Sequence, residues 1–336
     1  MSRRLAEVPS RFIIERRREM SGSLNTARTY AFALRDFLES CNLAGLAWNE
    51  IAYEHILAFR TGLLDRRLSA KSINHRLAII RSYYEWAAFK GYCDRSPFPS
   101  TSRTVRDRLR LREEDVPPRA IPIEAINAIL RCMAPTHALM AKLAVVSGLR
   151  AHEISGLPYA AVPDAGPDDP AFVKFKVRRK GGKITEVRIP RRMLNELTWY
   201  RDFDRYQAVA AAKQNNARYR EPHSLFVSKA GLAFRPARLS KVFLRAKRAA
   251  GFSNRYWGFH SLRHTYGLTL CRQLQRQSEQ LILTGKPGLN VLLILRDCMG
   301  HSRLESTQAY LTALEHDASA IAATLDHIYD ALWGPS

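Results

Sequence analysis

A proline-rich, charged stretch at residues 96–122 divides the chain into two regions that both have helical periodicity. In this stretch, SPFPSTSRTVRDRLRLREEDVPPRAIP, small polar residues and charges replace the apolar spacing of a packed helix. A chain of 336 residues is long enough for two domains with separate cores. We therefore predict a domain at 9–96, a linker at 97–120, a second domain at 121–317 and a C-terminal helix at 318–336.

The first region is predicted to consist of helices. In segment 23–42, Ser23 or Asn25 can cap a helix, and apolar side chains follow at helical intervals at Tyr30, Leu34 and Phe37. Segment 69–91 begins after a serine cap and carries an apolar stripe at Ile73, Leu77, Ile80 and Tyr84. Basic residues interleave with these stripes. Such a face is usually only solvated, but on a strongly basic chain it can equally follow phosphates.

In one segment of the second region, the apolar residues alternate instead of following helical spacing. Helical patterns resume at Ile123, and then Val173, Phe175 and Val177 alternate before the turn RRKGGK, after which Val187 and Ile189 alternate again. This pattern predicts a β-hairpin with glycines at its turn. Beyond residue 190 the chain is again mostly helical. The predicted fold class is mainly α with a small β-hairpin, as a helical domain followed by a mixed α/β domain.

The charge of the chain favours a polyanionic partner. Its net charge of +22 and pI near 10.2 suit a nucleic acid or an anionic membrane. No apolar run approaches a membrane-spanning length, and the basic N-terminus has no apolar signal core after it. Five scattered cysteines without a C-x-x-C pair argue against a structural zinc site. We expect a cytoplasmic protein whose favoured partner is a nucleic acid, and no nucleotide-binding motif is present.

Four segments carry polar residues that a purely structural interpretation explains poorly. They are SGLRAHEISGL, RRKGGK, HSLRHTYGL and MGHSRLESTQAYL. Three of them also have a structural interpretation: Arg150 can simply pair with Glu153, Lys180 can be an exposed turn lysine, and Tyr310 can be a core aromatic residue. His260 and Arg263, one helical turn apart with no nearby carboxylate in the sequence, make a poor salt bridge and a good anion site. Two arginines, a lysine, two histidines and a tyrosine without clustered carboxylates do not suit two-metal phosphoryl transfer. Arginines bind phosphate oxygens, and a tyrosine hydroxyl can be a covalent nucleophile. The set predicts metal-free attack of a tyrosine on a phosphodiester.

At this point the sequence resembles the tyrosine recombinases, the phage integrase family. Residues 9–96 are similar to that family's SAM-like core-binding domain, and residues 121–315 to its catalytic domain. The segments SGLRAHEI, RRKGGK, HSLRH and MGHSRLESTQAY match its motifs in the family's order. They give, in chain order, Arg150, Lys180 (rather than Lys183), His260, Arg263, His301 and Tyr310.

The resemblance implies a role for each of these residues. Tyr310 would attack the scissile phosphate and leave a 3′-phosphotyrosyl link and a free 5′-hydroxyl. Arg150 and Arg263 would hold the non-bridging oxygens, and His301 would add a hydrogen bond.

It also implies that Lys180 would protonate the leaving 5′-oxygen and that His260 would assist proton transfer around the tyrosine. Because the covalent link conserves the phosphodiester energy, neither ATP nor a metal would be required. The expected partners are double-stranded DNA and further copies of the chain, in a tetramer on paired DNA sites.

The chain departs from the family pattern at residues 271–290, where it carries CRQLQRQSEQLILTGKPGLN before the Gly-His motif. We expect an exposed helical extension there. The resemblance suggests that helix 318–336 docks on a neighbouring subunit, the alternative being packing on its own domain. Two other functions stay open: a DNA-binding protein of this fold without strand transfer, and an enzyme like type IB topoisomerases or telomere resolvases.

Overall fold

The structure is a computed structural model, and it describes residues 7–19, 24–98, 109–113, 118–164, 166, 172–179, 182, 184–301 and 304–315. Two compact units divide the chain, Met1–Val116 and Pro117–Ser336. The boundary between them falls within the stretch predicted as the linker. The predicted C-terminal helix at 318–336 lies outside the described residues.

The first unit is helical, as predicted. Its helices are α1 (Glu7–Glu19), α2 (Leu24–Leu43), α3 (Tyr53–Asp65) and α4 (Ala70–Phe89). The predicted stripe of α4 is buried in the core, and the hydroxyl of Ser69 caps this helix by accepting from the Ser72 N–H at 3.3 Å. Aromatic rings fill much of the core, including Phe12, Phe37 and Tyr84.

Part of the stretch between the predicted domains packs against the first unit. Leu109 is buried in its core together with Phe98. Asn74 on α4 donates its amide to the Leu111 carbonyl at 2.8 Å and accepts from the Leu111 N–H at 2.8 Å. These two hydrogen bonds satisfy the backbone N–H and C=O groups of Leu111. The spacing of apolar residues in the sequence does not predict them.

The second unit contains the predicted hairpin and a set of helices. Strand β1 (Phe172–Arg178) pairs antiparallel with β2 (Ile184–Pro190), with Phe175 opposite Val187. Phe175, Val177, Val187 and Ile189 are buried, as their alternation predicts. The helices are α5 (Ile123–Arg131), α6 (Pro135–Ser147), α7 (Ala151–Ser155), α8 (Arg191–Trp199), α9 (Tyr206–Asn215), α10 (Pro236–Ala249), α11 (Phe259–Leu283), α12 (Val291–Met299) and α13 (Glu305–Glu315).

Helix α11 is long, and it extends into residues 271–290, the stretch that departs from the family pattern. It runs for 25 residues and ends at Leu283, whose side chain is exposed. The Leu289 N–H then donates to Ser278 Oγ at 2.9 Å, which folds the following turn back on the helix. The helical extension is therefore present as far as Leu283, and it is mostly exposed, although Cys271 and Leu274 at its start are buried.

A small core near the middle of α11 positions the candidate site. Leu268, Cys271, Leu295, Met299 and Tyr310 pack together there, so that α11, α12 and α13 meet around the tyrosine. Among the described residues, no helix has the length and apolar character needed to cross a membrane.

Candidate active site

The first arginine motif lies where helix α6 ends and α7 begins. Gly148 terminates α6 in the left-handed conformation at φ 65°, and the chain then turns into α7 with Arg150 at its N-terminus. Glu153 accepts from the Arg150 backbone N–H at 2.8 Å and from its guanidinium at 3.1 Å. The Arg150 side chain is 30% exposed and that of Glu153 is fully buried. Glu153 thus fixes Arg150 while leaving part of the guanidinium open to a ligand.

Arg263 on α11 is buried and ties two motifs together. One terminal nitrogen donates to the Gly148 carbonyl, and the other donates to the Met299 carbonyl at 2.6 Å. These carbonyls end α6 and α12, and Arg150 and His301 follow them closely in the chain. Arg263 therefore holds the ends of these two helices together, in addition to any contact with a phosphate.

Tyr310 on α13 points into the same place, and its side chain is 3% exposed. Its ring packs on the backbone of Gly267, where an added Cβ would come within 2.5 Å of the Tyr310 ring. Its hydroxyl and His264 Nδ1 are hydrogen-bonded at 2.9 Å. His264 belongs to the quoted HSLRH segment, but sequence reasoning assigned it no role.

The two predicted histidines lie on either side of this pair. His260 is one helical turn before His264, is exposed, and stands edge to face with it at 4.7 Å between ring centroids. His301 follows the left-handed Gly300, stacks on the Tyr310 ring at 6.1 Å between centroids with 26° between the ring planes, and shares a 2.9 Å hydrogen bond with Thr307 Oγ1.

Lys180, predicted as the acid, lies outside the described residues, as does Lys183. The structure therefore brings Arg150, His260, Arg263, His301 and Tyr310 together around α11 and leaves the position of the lysine open.

Sequence reasoning also missed Arg179, the residue before Lys180. Its side chain is 4% exposed and donates to Glu153 at 3.2 Å and to Thr185 Oγ1 at 2.7 Å. Gly300 lies against it, since an added Cβ there would be 2.7 Å from the guanidinium carbon. Inside the basic turn RRKGGK the sequence carries no signal of this burial. Arg179 links the hairpin to the motifs of Arg150 and His301.

Two models of protein families match the chain. One, described as the phage integrase N-terminal SAM-like domain, covers residues 11–91, and the other, described as the phage integrase family, covers residues 120–277. This chain belongs to the phage integrase family. The two matches confirm its resemblance to the tyrosine recombinases over residues 11–91 and 120–277, and the segment with His301 and Tyr310 lies beyond them.

Curated relatives in this family carry the name tyrosine recombinase. The chain is 22% identical over 312 residues to tyrosine recombinase XerC of Roseiflexus castenholzii, covering 90% of this chain and 87% of the relative. It is 24% identical over 300 residues to tyrosine recombinase XerD of Rickettsia bellii, covering 87% of this chain and 89% of the relative.

Solved structures of family members share the fold. The XerH site-specific recombinase in a post-cleavage complex with its palindromic difH substrate matches with a TM-score of 0.60 at 16% identity, over 91% of this chain and 81% of that one. A lambda integrase dimer bound to a COC′ core site matches with a TM-score of 0.61 at 14% identity, over 90% of this chain and 94% of that one. The predicted fold class is confirmed.

The site of this integrase-family chain has an excess of positive charge. Among the described residues, the guanidinium groups of Arg150, Arg179 and Arg263 lie around the carboxylate of Glu153, and these four groups together carry a net charge of +2. Burial lowers the pKa of Arg263 to about 10, so it stays protonated at neutral pH. Burial alone would raise the pKa of Glu153, but the Arg150 N–H and the guanidiniums outweigh it and hold that pKa below its usual value. The charge excess suits a phosphate.

The uncharged groups of the site are kept neutral. Loss of solvation, reinforced by neighbouring cations, lowers the pKa of His301 to about 4 and lowers that of His264. Burial raises the pKa of Tyr310, while Arg263 and Arg150 oppose that rise. Near neutral pH the tyrosine is therefore a phenol and needs an acceptor for its proton when it reacts.

Replacing His301 with Asn should reduce the dependence of stability on pH. The pKa of His301 falls from 6.5 to about 4 on folding, so between these values the unfolded chain binds a proton that the folded chain does not. The free energy of unfolding should therefore fall as pH falls from 6.5 towards 4, by at most about 3–4 kcal/mol from this residue. Denaturant unfolding at about pH 7 and about pH 5 measures this. Equal pH dependence in His301→Asn and the unsubstituted chain would contradict it.

Proposed function

We propose that this chain is a site-specific DNA recombinase that cuts and rejoins DNA through a covalent bond to Tyr310. The observation that carries the proposal is the placement of the tyrosine beside buried and half-buried arginines in a site with excess positive charge. A core-packed tyrosine would not need this surrounding charge, whereas a phosphate does.

The reaction proceeds by exchange of one phosphoester for another. The Tyr310 oxygen attacks the scissile phosphorus and loses its proton, a new O–P bond forms, and the bond to the 5′-oxygen breaks. Arg150 and Arg263 stabilise the charge that builds on the non-bridging oxygens, and His301 adds a hydrogen bond there. Lys180 protonates the leaving 5′-oxygen, and His260 assists proton transfer near the tyrosine. Rejoining runs the same steps backwards with a 5′-hydroxyl as the attacking group.

Assembly on DNA is the second part of the proposal. Related structures are described as a lambda integrase dimer bound to a core site and a lambda integrase tetramer bound to a Holliday junction. Together with the net charge of +22, they support double-stranded DNA and a tetramer of this chain on paired sites as its partners. The chain would act in the cytoplasm.

The experiment that tests the function maps cleavage on the DNA that flanks this protein's own gene. Fragments of that DNA are incubated with the purified chain, and covalent adducts are separated on a denaturing gel and their ends sequenced. We expect one strand of a discrete site to end in a protein-linked 3′-phosphate. Binding without any adduct would instead indicate a DNA-binding protein of this fold without strand transfer. Relaxation of supercoiled DNA of any sequence would indicate an activity like that of type IB topoisomerases.

DNA binding should weaken steeply as salt rises. If about 8 phosphates are neutralised, the logarithm of the association constant should fall against the logarithm of salt concentration with a slope near −7. Filter binding or fluorescence anisotropy over a salt series gives the slope. Addition of EDTA during cleavage should change nothing, because protein side chains supply the charge stabilisation. A shallow slope or loss of cleavage in EDTA would count against the proposal.

Replacing Lys180 with Ala should slow cleavage of ordinary DNA but not of a 5′-bridging phosphorothioate. Sulfur leaves without protonation, so that substrate does not need a general acid. Adduct formation on both substrates measures the difference, and Lys183→Ala is the matched control on the same turn. Rescue of Lys183→Ala instead would assign the acid to Lys183, and rescue of neither variant would point to another donor.

A further inference from the structure

The hydroxyl of Tyr310 meets a histidine that the proposed mechanism does not use. His264 Nδ1 lies 2.9 Å from this hydroxyl, and the centroids of the two rings are 5.9 Å apart. The Tyr310 ring rests on Gly267, three residues further along α11, where no side chain could fit without displacing the ring. Helix α11 therefore both seats the phenol and supplies the group that faces its oxygen.

The surroundings of His264 favour an acceptor rather than a cation. It faces Arg263 and His260 on its own helix, Tyr310 on α13, and His301 between α12 and α13. Burial, helped by Arg263, lowers the pKa of His264, so its ring is neutral at neutral pH. A neutral ring with its hydrogen on Nε2 presents a free electron pair at Nδ1, towards the phenol.

His260 is less well placed for the same task. It is exposed, and of the two histidines His264 is the one that shares a hydrogen bond with the Tyr310 hydroxyl among the contacts of the described residues. The edge-to-face contact at 4.7 Å makes His260 a neighbour of His264 rather than of the phenol oxygen. It can relay a proton outwards but does not touch the reacting oxygen.

We propose that His264 orients the Tyr310 hydroxyl through Nδ1 and accepts its proton as the phenol oxygen attacks the phosphorus. This inference rests on the proposed function and assigns a residue to one of its steps. The O–H bond of Tyr310 breaks and the proton moves to Nδ1, while the electron pair of that bond forms the O–P bond. The 5′-oxygen leaves with the electrons of its own bond to phosphorus and takes a proton from the lysine. On rejoining, His264 returns its proton to the phenol.

The test compares His264→Asn with the unsubstituted full-length chain. An asparagine amide reaches the region of Nδ1 and can accept a hydrogen bond, but it cannot take up the proton. The rate of covalent adduct formation on a nicked suicide substrate is measured across pH for both. The unsubstituted chain should lose activity at low pH as His264 becomes protonated. His264→Asn should be slower by about 100-fold and should lack this acidic limb, with DNA binding unchanged.

Two controls make the result specific. His223→Asn removes an exposed histidine of the same unit and should keep both the rate and the acidic limb. In ¹⁵N spectra of the imidazole rings, Tyr310→Phe should shift the Nδ1 resonance of His264, an outcome that reports the hydrogen bond without any DNA.

The outcomes separate this inference from the function on which it rests. An active unsubstituted chain together with a His264→Asn variant that reacts within about threefold of it, or that keeps the acidic limb, would overturn the role of His264 alone. If the unsubstituted chain forms no adduct on the DNA that flanks its own gene, the proposed function is wrong. The role of His264 as proton acceptor then falls with it.

Discussion

Replacing Tyr310 with Phe should abolish covalent capture of DNA and leave DNA binding nearly unchanged. The hydroxyl oxygen is the only non-hydrogen atom removed, and it takes part in bond formation rather than in phosphate affinity. The ring should keep its seat on Gly267, so the loss of the hydrogen bond to His264 should lower the free energy of unfolding by only about 1 kcal/mol. The measurement is adduct formation on a suicide substrate nicked near the crossover, resolved on a denaturing gel.

A matched control removes a different buried hydroxyl. Tyr83 in the first unit is buried, and its hydroxyl has no hydrogen-bond partner among the described residues. Tyr83→Phe should therefore retain both stability and capture. Persistence of the adduct in Tyr310→Phe would show that another residue is the nucleophile, whatever the control does.

Replacing Arg263 with Ala should damage both the reaction and the fold, whereas replacing Arg150 with Ala should damage mainly the reaction. Each loses transition-state stabilisation of roughly 3–4 kcal/mol, or about 10²–10³ in the cleavage rate. Arg263→Ala also leaves the buried carbonyls of Gly148 and Met299 without their donor, which costs about 1–3 kcal/mol for each. Arg150 is partly exposed, and Arg179 continues to pair with Glu153 after its loss.

Denaturant unfolding and single-turnover cleavage, measured on the same preparations, separate the two effects. Arg263→Lys separates the charge from the hydrogen bonds, because lysine keeps the positive charge but cannot donate to both carbonyls as the guanidinium does. Equal stability of Arg263→Ala and Arg150→Ala would contradict the structural task assigned to Arg263. Normal cleavage by either alanine variant would contradict its role at the phosphate.

Most of the fold could be predicted from periodic patterns. The stripe of Ile73, Leu77, Ile80 and Tyr84 is buried on α4, and the alternation of Phe175 and Val177 with Val187 and Ile189 forms the hairpin. These patterns indicate which face of each helix or strand is buried, and burial of apolar surface contributes most to the stability of the fold. The packing of residues 109–113 on the first unit was not predictable, because it rests on an isolated buried Leu109 and on the amide of Asn74 rather than on a periodic apolar stripe.

The contacts within the site lay beyond sequence reasoning. Which of the histidines in HSLRH meets Tyr310 depends on how α11 and α13 cross, since the two partners are 46 residues apart. The burial of Arg179 depends on Glu153, which is 26 residues away. Order and spacing of motifs can name the members of a site, but the pairing among them is set by tertiary packing.

The most direct test of the central claim is to identify the amino acid that carries the DNA after cleavage. The adduct is trimmed with nuclease, digested with protease and sequenced by mass spectrometry. The account predicts a nucleotide joined through its 3′-phosphate to the peptide that contains Tyr310, with the phosphate on the tyrosine oxygen. A nucleotide on any other residue, or cleaved DNA that carries no peptide, would contradict it.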